Sequence, residues 1–157
     1  MSTPGQQFTA DLEALVLNAQ GRMEQLSRQV IQETCEQVVR NSPVLTGFFR
    51  GNWQPSIGRP PPRQGDGLPS ENTIDADKLS DKSLQMLSLL IAQFKLGQIF
   101  WFANNTKYGP RLEYGFTGRD SLGREIHQRG RFFVRNALQR WGETVRKTAI
   151  DLRMTLR

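Results

Sequence analysis

The sequence predicts an α+β fold: a long N-terminal helix, a small antiparallel or mixed sheet, a second helix, and a long C-terminal helix packed on the sheet. Three observations lead to this prediction. Apolar residues recur at three- and four-residue steps along three long segments, which is the period of an amphipathic helix. Two shorter aromatic segments have the side chains that favour strands. Because helices and strands do not alternate as in parallel α/β proteins, an α+β domain spanning residues 1–157 is expected.

The first predicted helix begins at Thr9, the expected N-cap, and ends before Pro43, which disfavours helical backbone at Ser42. Gly21 interrupts the pattern at a cost of about 1 kcal/mol relative to Ala, which allows a kink or a short break. At roughly 30 residues the helix exceeds the usual globular length of about 10–14 residues, so part of it is expected to pack against a neighbouring copy. Its apolar stripe consists of Phe8, Leu12, Leu15, Val16, Ala19, Met23, Leu26, Val30, Val38 and Val39.

The next segments predict a strand followed by a loop. A short strand is expected over Phe49–Ile57, at a sheet edge because Pro55 cannot donate a ladder hydrogen bond. Residues 58–74 are rich in proline and glycine and poor in apolar side chains, which predicts a long exposed loop. A passive linker and a functional arm are both open interpretations of this loop.

A second helix is predicted from Asp75 to Gly97, capped by Asp75 or Asp81 and ended by the glycine. Its stripe consists of Leu84, Leu87, Leu90, Ile91 and Phe94. The following segment, "QIFWFANN", predicts a strand with bulky residues on both faces: Ile99 and Trp101 on one, Phe100 and Phe102 on the other. A strand that is apolar on both faces is covered on both, so one cover is expected from its own domain and the other from a neighbouring subunit.

The last helix is predicted to begin near Arg131 or Phe132. Its apolar stripe consists of Val134, Leu138, Trp141, Val145, Ala149, Leu152 and Leu156, and its polar face holds Arg135, Arg140, Arg146, Lys147 and Arg153. The net charge of +6 lies entirely in residues 116–157, which contain ten Lys or Arg and four Asp or Glu. A solvated helix face, or a surface that meets an acidic protein or DNA, would explain this segregation.

The segment "NNTKYGPRLEYG" combines the polar residues of a site with the breaks of a turn. Asn104 and Asn105 are expected to end the strand, because asparagine bonds nearby backbone groups. Residues 108–114 predict a short helical turn, with Pro110 near its start and Gly115 at its end. Glu113 is expected to accept from a buried backbone N–H or an arginine rather than to transfer a proton.

The sequence contains few of the residue types and motifs that catalytic and metal sites use. One cysteine and one histidine, Cys35 and His127, exclude an internal disulfide and a pair of histidine ligands. No phosphate-binding glycine loop, no HExxH motif and no apolar run long enough to cross a membrane is present. We therefore expect no enzyme activity, no cofactor, no metal and no membrane partner. A carboxylate pair of Glu113 with Asp120 or Glu125 is the remaining enzymatic alternative.

Two segments together resemble a known family. "NSPVLTGFFRGNWQ" resembles the first signature of the HK97 gp10-like family of phage tail-completion and neck proteins. "KLGQIFWFANNTKYGPRLEYGFTG" resembles the second signature, and "GRFFVRNALQRW" resembles the closing segment that leads into the last helix. Lys107 and Gly109 depart from the residues usual around Tyr108, and "RDSLGREIHQRGR" is more basic than the corresponding family segment.

This resemblance implies a non-enzymatic structural protein of a tailed-phage virion, present in the host cytoplasm during assembly. Such proteins form rings, usually of six subunits around the DNA channel, which complete the tail and join it to the connector. The expected partners are further copies of the chain, the tail tube or tail-terminator protein, the head-closure or connector protein, and genomic DNA through non-specific contacts. A tail-terminator ring protein and a basic nucleic-acid-binding module are the alternatives.

Candidate interaction residues follow from this expectation. Aromatic and arginine side chains contribute most to interface hot spots. The expected interface or structural residues are Phe48, Phe49, Trp53, Trp101, Asn104, Asn105, Tyr108, Glu113, Tyr114 and Gly115. The expected basic contact surface consists of Arg119, Arg124, Arg129, Arg131 and Arg135.

Overall fold

The computed structural model describes residues 4–44, 47–61 and 76–155, and its helices and strands confirm the α+β class. Their order is α1 (Pro4–Asn41), α2 (Phe48–Gly51), β1 (Trp53–Ile57), α3 (Ala76–Gln93), β2 (Phe100–Asn104), α4 (Gly109–Tyr114), β3 (Gly115–Arg119), β4 (Glu125–Arg129), α5 (Phe133–Gln139) and α6 (Trp141–Thr155). Within these ranges, none of the helices combines the length and apolar composition that crossing a bilayer requires.

Helix α1 is longer than its sequence pattern predicts. It begins at Pro4, so the predicted cap at Thr9 is wrong: the hydroxyl of Thr9 donates to the carbonyl of Gly5 within the helix (3.0 Å). Proline suits a first turn because its missing N–H has no partner there. The helix also continues through Gly21 without a break. Its end before Pro43 agrees with the prediction.

Strands β1 and β2 form a two-stranded antiparallel sheet, with Trp53 opposite Asn104 and Ile57 opposite Phe100. Strand β1 begins at Trp53, four residues later than the predicted start at Phe49, because Phe48–Gly51 forms the short helix α2. Gly47 precedes α2 with φ +83°, a backbone conformation that favours glycine. Pro55 lies within β1 as predicted, since neither strand of this sheet is central.

The core lies between the inner face of this sheet and helices α1, α3 and α5. Trp53 stacks on Phe102 with ring centroids 5.0 Å apart, and it meets Phe133 of α5 edge-on. Val38 and Val39 of α1 pack in the same cluster. Beside it, Leu87 and Ile91 of α3 pack against Cys35 of α1. The β1–β2 sheet and the second half of α1 therefore contribute to two adjacent apolar clusters, with Leu84 and Phe102 packed against both.

Helix α3 is present where the second helix was predicted, with small differences at its ends. Asp81 lies inside the helix and so is not its cap, while Asp75 and most of the predicted loop, residues 62–75, lie outside the described residues. The helix ends at Gln93, and Gly97 adopts φ +89° in the turn that leads into β2.

The predicted C-terminal helix is two helices, α5 and α6, separated at Arg140. From residue 134 to residue 149 the predicted stripe lies one residue C-terminal to the buried positions, both before and after the break. The residues with least exposure are Phe133, Ala137, Thr144, Thr148 and Leu152. By contrast, Leu138 and Trp141 are 60% and 42% exposed, although both were predicted to be apolar packing residues. Helix α5 reaches the sheet through Phe133, and α6 lies along α1.

A second antiparallel pair, β3–β4, forms a hairpin within the basic segment around His127, for which no strand was predicted. The Asp120 carboxylate organises its turn, with Oδ1 accepting from the N–H groups of Leu122 and Arg124 (both 2.9 Å). The hydrogen bond from the Arg124 backbone is the main cause that lowers the pKa of Asp120 below its ordinary value. The hairpin escaped prediction because few of its residues are apolar.

Candidate interaction surfaces

The segment "NNTKYGPRLEYG" forms the predicted turn. Strand β2 ends at Asn104, whose Nδ2 donates to the carbonyl of Phe49 (2.7 Å) and whose Oδ1 accepts from the N–H of Thr106 (3.2 Å). The short helix α4 then carries Pro110 in its first turn and ends at Gly115, where φ is +88°. Asn104 thereby ties the end of β2 to α2.

Glu113 is buried, at 5% exposure, and both of its carboxylate oxygens accept backbone hydrogen bonds. Oε2 accepts from the N–H of Val134 (3.1 Å), and Oε1 accepts from the N–H of Arg135 (3.0 Å). These two groups lie in the first turn of α5, where backbone N–H groups lack partners within their own helix. Because Phe132 at the N-cap makes no side-chain capping bond, Glu113 serves as the cap from a distant segment. The prediction that Glu113 satisfies buried backbone N–H groups is confirmed.

The backbone at Gly115 and the backbone at Gly130 cross at close range. The N–H of Arg131 donates to the carbonyl of Leu112 (2.9 Å), and that of Phe132 donates to the carbonyl of Glu113 (3.1 Å). A Cβ at Gly115 would lie 2.6 Å from the carbonyl oxygen of Gln128, and a Cβ at Gly130 would lie 2.5 Å from that of Glu113. Only glycine permits this approach, which fixes where α5 begins.

The aromatic residues that were predicted as interface or structural residues divide between the interior and the surface. Phe48, Phe49 and Trp53 are only 3–6% exposed and serve as packing residues within the chain. The indole N–H of Trp53 donates to the hydroxyl of Ser42 (2.9 Å). Half-buried Tyr108 packs on Phe49, with ring centroids 5.9 Å apart, and Asn105 is also half-buried. Of these predicted aromatic residues, Trp101 and Tyr114 are therefore the two that are exposed at the surface.

Trp101 lies on the outer face of β2. It is 38% exposed, and Ile99 beside it is more exposed still. The opposite face, with Phe100 and Phe102, packs against α1 and α3, as was expected for the cover from the chain itself. The expected second cover, from a neighbouring subunit, stays a prediction.

The predicted basic surface centres on the β3–β4 hairpin. The register places Arg119 and Arg129 on the same face, with Arg129 opposite Gly115 and Arg119 opposite Glu125. Arg119 lies 3.7 Å from the carboxylate of Glu125, and Arg124 lies 2.7 Å from that of Asp120. Arg129 and Arg131 are exposed on the same hairpin stem, and the guanidinium of Arg135 lies over the ring of Phe132 (5.1 Å). Carboxylates thus accompany two of the five arginines.

These contacts also bear on the enzymatic alternative. Glu113 is engaged by the backbone of α5, Asp120 by its own turn and Arg124, and Glu125 by Arg119. Each of the three carboxylates therefore has its own set of partners. Across residues 4–44, 47–61 and 76–155, the side chains form no group of three or more His, Cys, Asp or Glu suited to a metal ion.

Two further surfaces lie outside the candidate interaction residues that were predicted from the sequence. The first, which we call the N-terminal arm, is residues 5–23 of α1, in which every side chain is exposed. Its large apolar residues are 47–69% exposed: Phe8, Leu12, Leu15, Val16, Leu17 and Met23. The unusual predicted length of the first helix was the available signal for it.

The second surface, which we call the apolar groove, has a volume of about 350 Å³. It lies between the second half of α1, the inner face of β2 and the junction of α5 with α6. Its principal apolar lining residues are Ile31, Cys35, Phe100, Phe102, Leu138 and Trp141. Burial here raises the pKa of the Cys35 thiol to about 12. The groove could not be predicted from the sequence, because one of its walls contains the break between α5 and α6, which was itself not predicted.

Comparison with known proteins adds no relative: no family model, no curated protein and no solved structure matches this chain.

Proposed function

We propose that this chain is a structural protein of a tailed-phage virion, which forms a ring at the head–tail junction, completes the tail and joins it to the connector around the DNA channel. The observation that carries the proposal is the exposure of an apolar helical arm, residues 5–23, on a chain whose two signature segments resemble phage neck proteins. A large exposed apolar surface marks an interaction site.

The internal role of the signature residues supports the same proposal. Asn104 and Glu113 join distant segments through backbone hydrogen bonds, so their presence in a family-like pattern is explained by folding rather than by catalysis. A structural protein needs such residues to hold its surface elements at fixed positions. The surface then remains available for partners, with Trp101 and the arm as apolar contacts and the hairpin as a basic contact.

A second candidate, a nucleic-acid-binding module, is favoured by one observation. Arg119 and Arg129 share a face of the hairpin, and Arg131 follows directly. The carboxylates of Glu125 and Asp120 beside this surface reduce its attraction for phosphates. A ring around the channel would need only weak, sequence-independent contacts with DNA, which such a surface can supply.

The experiment is deletion of the gene in the phage that encodes the chain, followed by electron microscopy and complementation from a plasmid. We expect filled heads and separate tails, and we expect immunolabelling of wild-type particles to mark the neck. Immunolabelling of free wild-type tails that carry no head would instead favour a tail-terminator ring. Absence of the chain from purified particles would contradict the virion proposal.

The nucleic-acid alternative has its own test. Binding of the purified chain to short duplex DNA is measured by fluorescence anisotropy across a salt series. A nucleic-acid-binding module would bind tightly at low salt and lose affinity steeply as salt rises, because counterion release drives such binding. Weak binding at every salt concentration would leave the structural proposal as the better explanation.

A further inference from the structure

The arm and the groove belong to the same helix, and this geometry excludes contact between them within one chain. Helix α1 is continuous from Pro4 to Asn41, with the arm at its beginning and the groove residues Ile31 and Cys35 in its second half. An unbroken helix extends in one direction, at about 1.5 Å per residue. The arm therefore projects away from the groove that its own helix lines.

We propose that the N-terminal arm of one copy of this chain docks in the apolar groove of a second copy. The inference deepens the proposed ring, on which it rests for its biological setting, by naming the two surfaces that meet. The docking itself is a property of the purified chain and can be tested without the virion.

The arm has the side-chain pattern of a helix that binds a groove. At 100° per residue, Phe8, Leu12, Leu15, Val16 and Met23 fall within an arc of about 100°. Helices that bind grooves present apolar anchors at this spacing of three, four and seven residues. Leu17 lies on the other side of the arm and is excluded from the stripe. One face of the arm can therefore pack against an apolar surface, while the other faces remain in contact with water.

The groove offers a matching apolar surface at its rim and its floor. Leu138 and Trp141, at the junction of α5 with α6, are the exposed rim, and the rings of Phe100 and Phe102 line the interior. Thr34 also lines the groove, and its buried Oγ1 has no hydrogen-bond partner among the residues described.

Charge favours the groove over a second arm as the arm's partner. Residues 5–23 of the arm carry Asp11, Glu13 and Arg22, a net charge of −1. Helices α5 and α6, which contribute Val134, Leu138 and Trp141 to the groove, carry a net charge of +3 over residues 133–153, from five basic and two acidic residues. An acidic segment meeting a basic wall is electrostatically complementary, whereas two paired arms would bring acidic segments together.

Docking of this kind is head-to-tail, because the arm and the groove are different surfaces. Each added copy leaves one arm and one groove available, so assembly continues until rotation closes a ring. This is the type of contact that a ring of identical subunits requires.

Complementation between two variants tests the proposal. The arm variant is Leu12→Gln with Leu15→Gln, and the groove variant is Leu138→Gln with Trp141→Gln. The wild-type chain is expected to form oligomers in sedimentation velocity, and each variant alone is expected to be monomeric. Mixed together, the variants are expected to form dimers and nothing larger, because one supplies an intact groove and the other an intact arm.

Matched controls replace exposed residues outside the proposed contact: Leu17→Gln, on the other side of the arm from the stripe, and Ile150→Gln on α6. Both controls are expected to assemble like the wild type. A strictly monomeric wild type, assembly of either double variant like the wild type, or a mixture that stays monomeric would overturn the proposal. None of these results would change where the chain is found in the virion, so the two proposals fail separately.

Cross-linking provides a measurement that does not depend on the stability of the groove variant. In a Cys35→Ala background, Leu15→Cys and Leu138→Cys chains are mixed and treated with a short bismaleimide. Arm-to-groove docking predicts that mixed dimers exceed both homodimers. An excess of dimers between two Leu15→Cys chains would show arm-to-arm pairing and overturn the proposal.

Discussion

The N-terminal arm and the second half of α1, residues 26–41, carry apolar side chains at the same helical spacing, yet their surroundings are opposite. Val30 and Val39 are almost completely buried, while Leu12 and Met23 of the arm are about half exposed. Helices α3, α5 and α6 pack on the second half. The difference shows that periodicity identifies the apolar face of a helix, whereas the return of distant segments decides whether that face is buried within the chain.

The largest expected effect is the difference in free energy of unfolding between a substitution beside the buried second half of α1 and one in the exposed arm. Leu87→Ala removes a fully buried side chain that packs against Cys35, and we expect a loss of about 2–5 kcal/mol in the free energy of unfolding. Leu12→Ala, measured in the monomeric groove variant, is expected to change it by less than about 0.5 kcal/mol, because Leu12 is half exposed among the described residues. Urea unfolding followed by tryptophan fluorescence measures both. Equal losses would mean that the arm is buried in solution.

The next effect concerns how α5 is held against the second half of α1. Glu113→Ala leaves the N–H groups of Val134 and Arg135 without their acceptor, and we expect a loss of about 1–3 kcal/mol in the free energy of unfolding. Glu113→Gln keeps one acceptor oxygen and is expected to lose less. Exposed Glu143→Ala on α6 is the control. A Glu113→Ala variant as stable as the wild type would contradict the capping role.

The behaviour of these segments also shows what could be predicted from the sequence. The turn from Asn104 to Gly115 was predicted correctly because its signals are local: asparagine at a strand end, proline at a helix start, glycine at its end. The break at Arg140 and the β3–β4 hairpin were not predicted. Long-range contacts act on this region, because the carboxylate of Glu113 and the close crossing at Gly130 determine where α5 begins. The groove could not be foreseen, since it exists only once that break is in place.

The pH dependence of the free energy of unfolding tests the surroundings of one group in the second half of α1, the thiol of Cys35. Burial raises the pKa of Cys35 to about 12, whereas a thiol in the unfolded chain titrates near its ordinary value, about 8.5. Above that ordinary value the unfolded chain loses the proton that the folded chain keeps, so the free energy of unfolding falls as pH rises, by at most about 1.4 kcal/mol per pH unit.

The measurement compares urea unfolding at successive pH values from 8 upward for the wild type and Cys35→Ala, each normalised to its own value at the lowest pH. We expect the wild type to lose more stability per pH unit than the variant. Parallel slopes would mean that the thiol is not held in an apolar environment, and the groove would then be open to water at its floor.

The smallest effect tests whether the arm is energetically independent of the rest. Gly21 lies within α1, and a Cβ added there would meet nothing within 4 Å. Gly21→Ala should therefore favour the helix by about 0.5–1 kcal/mol through reduced backbone entropy alone. Because Gly21 lies in the arm, we expect this gain to appear locally: amide hydrogen exchange in residues 5–23 should slow by about two- to five-fold while global unfolding is unchanged. An increase in global stability of the monomer would show that the two halves of α1 unfold together, and the exposed arm would then be part of the cooperative core.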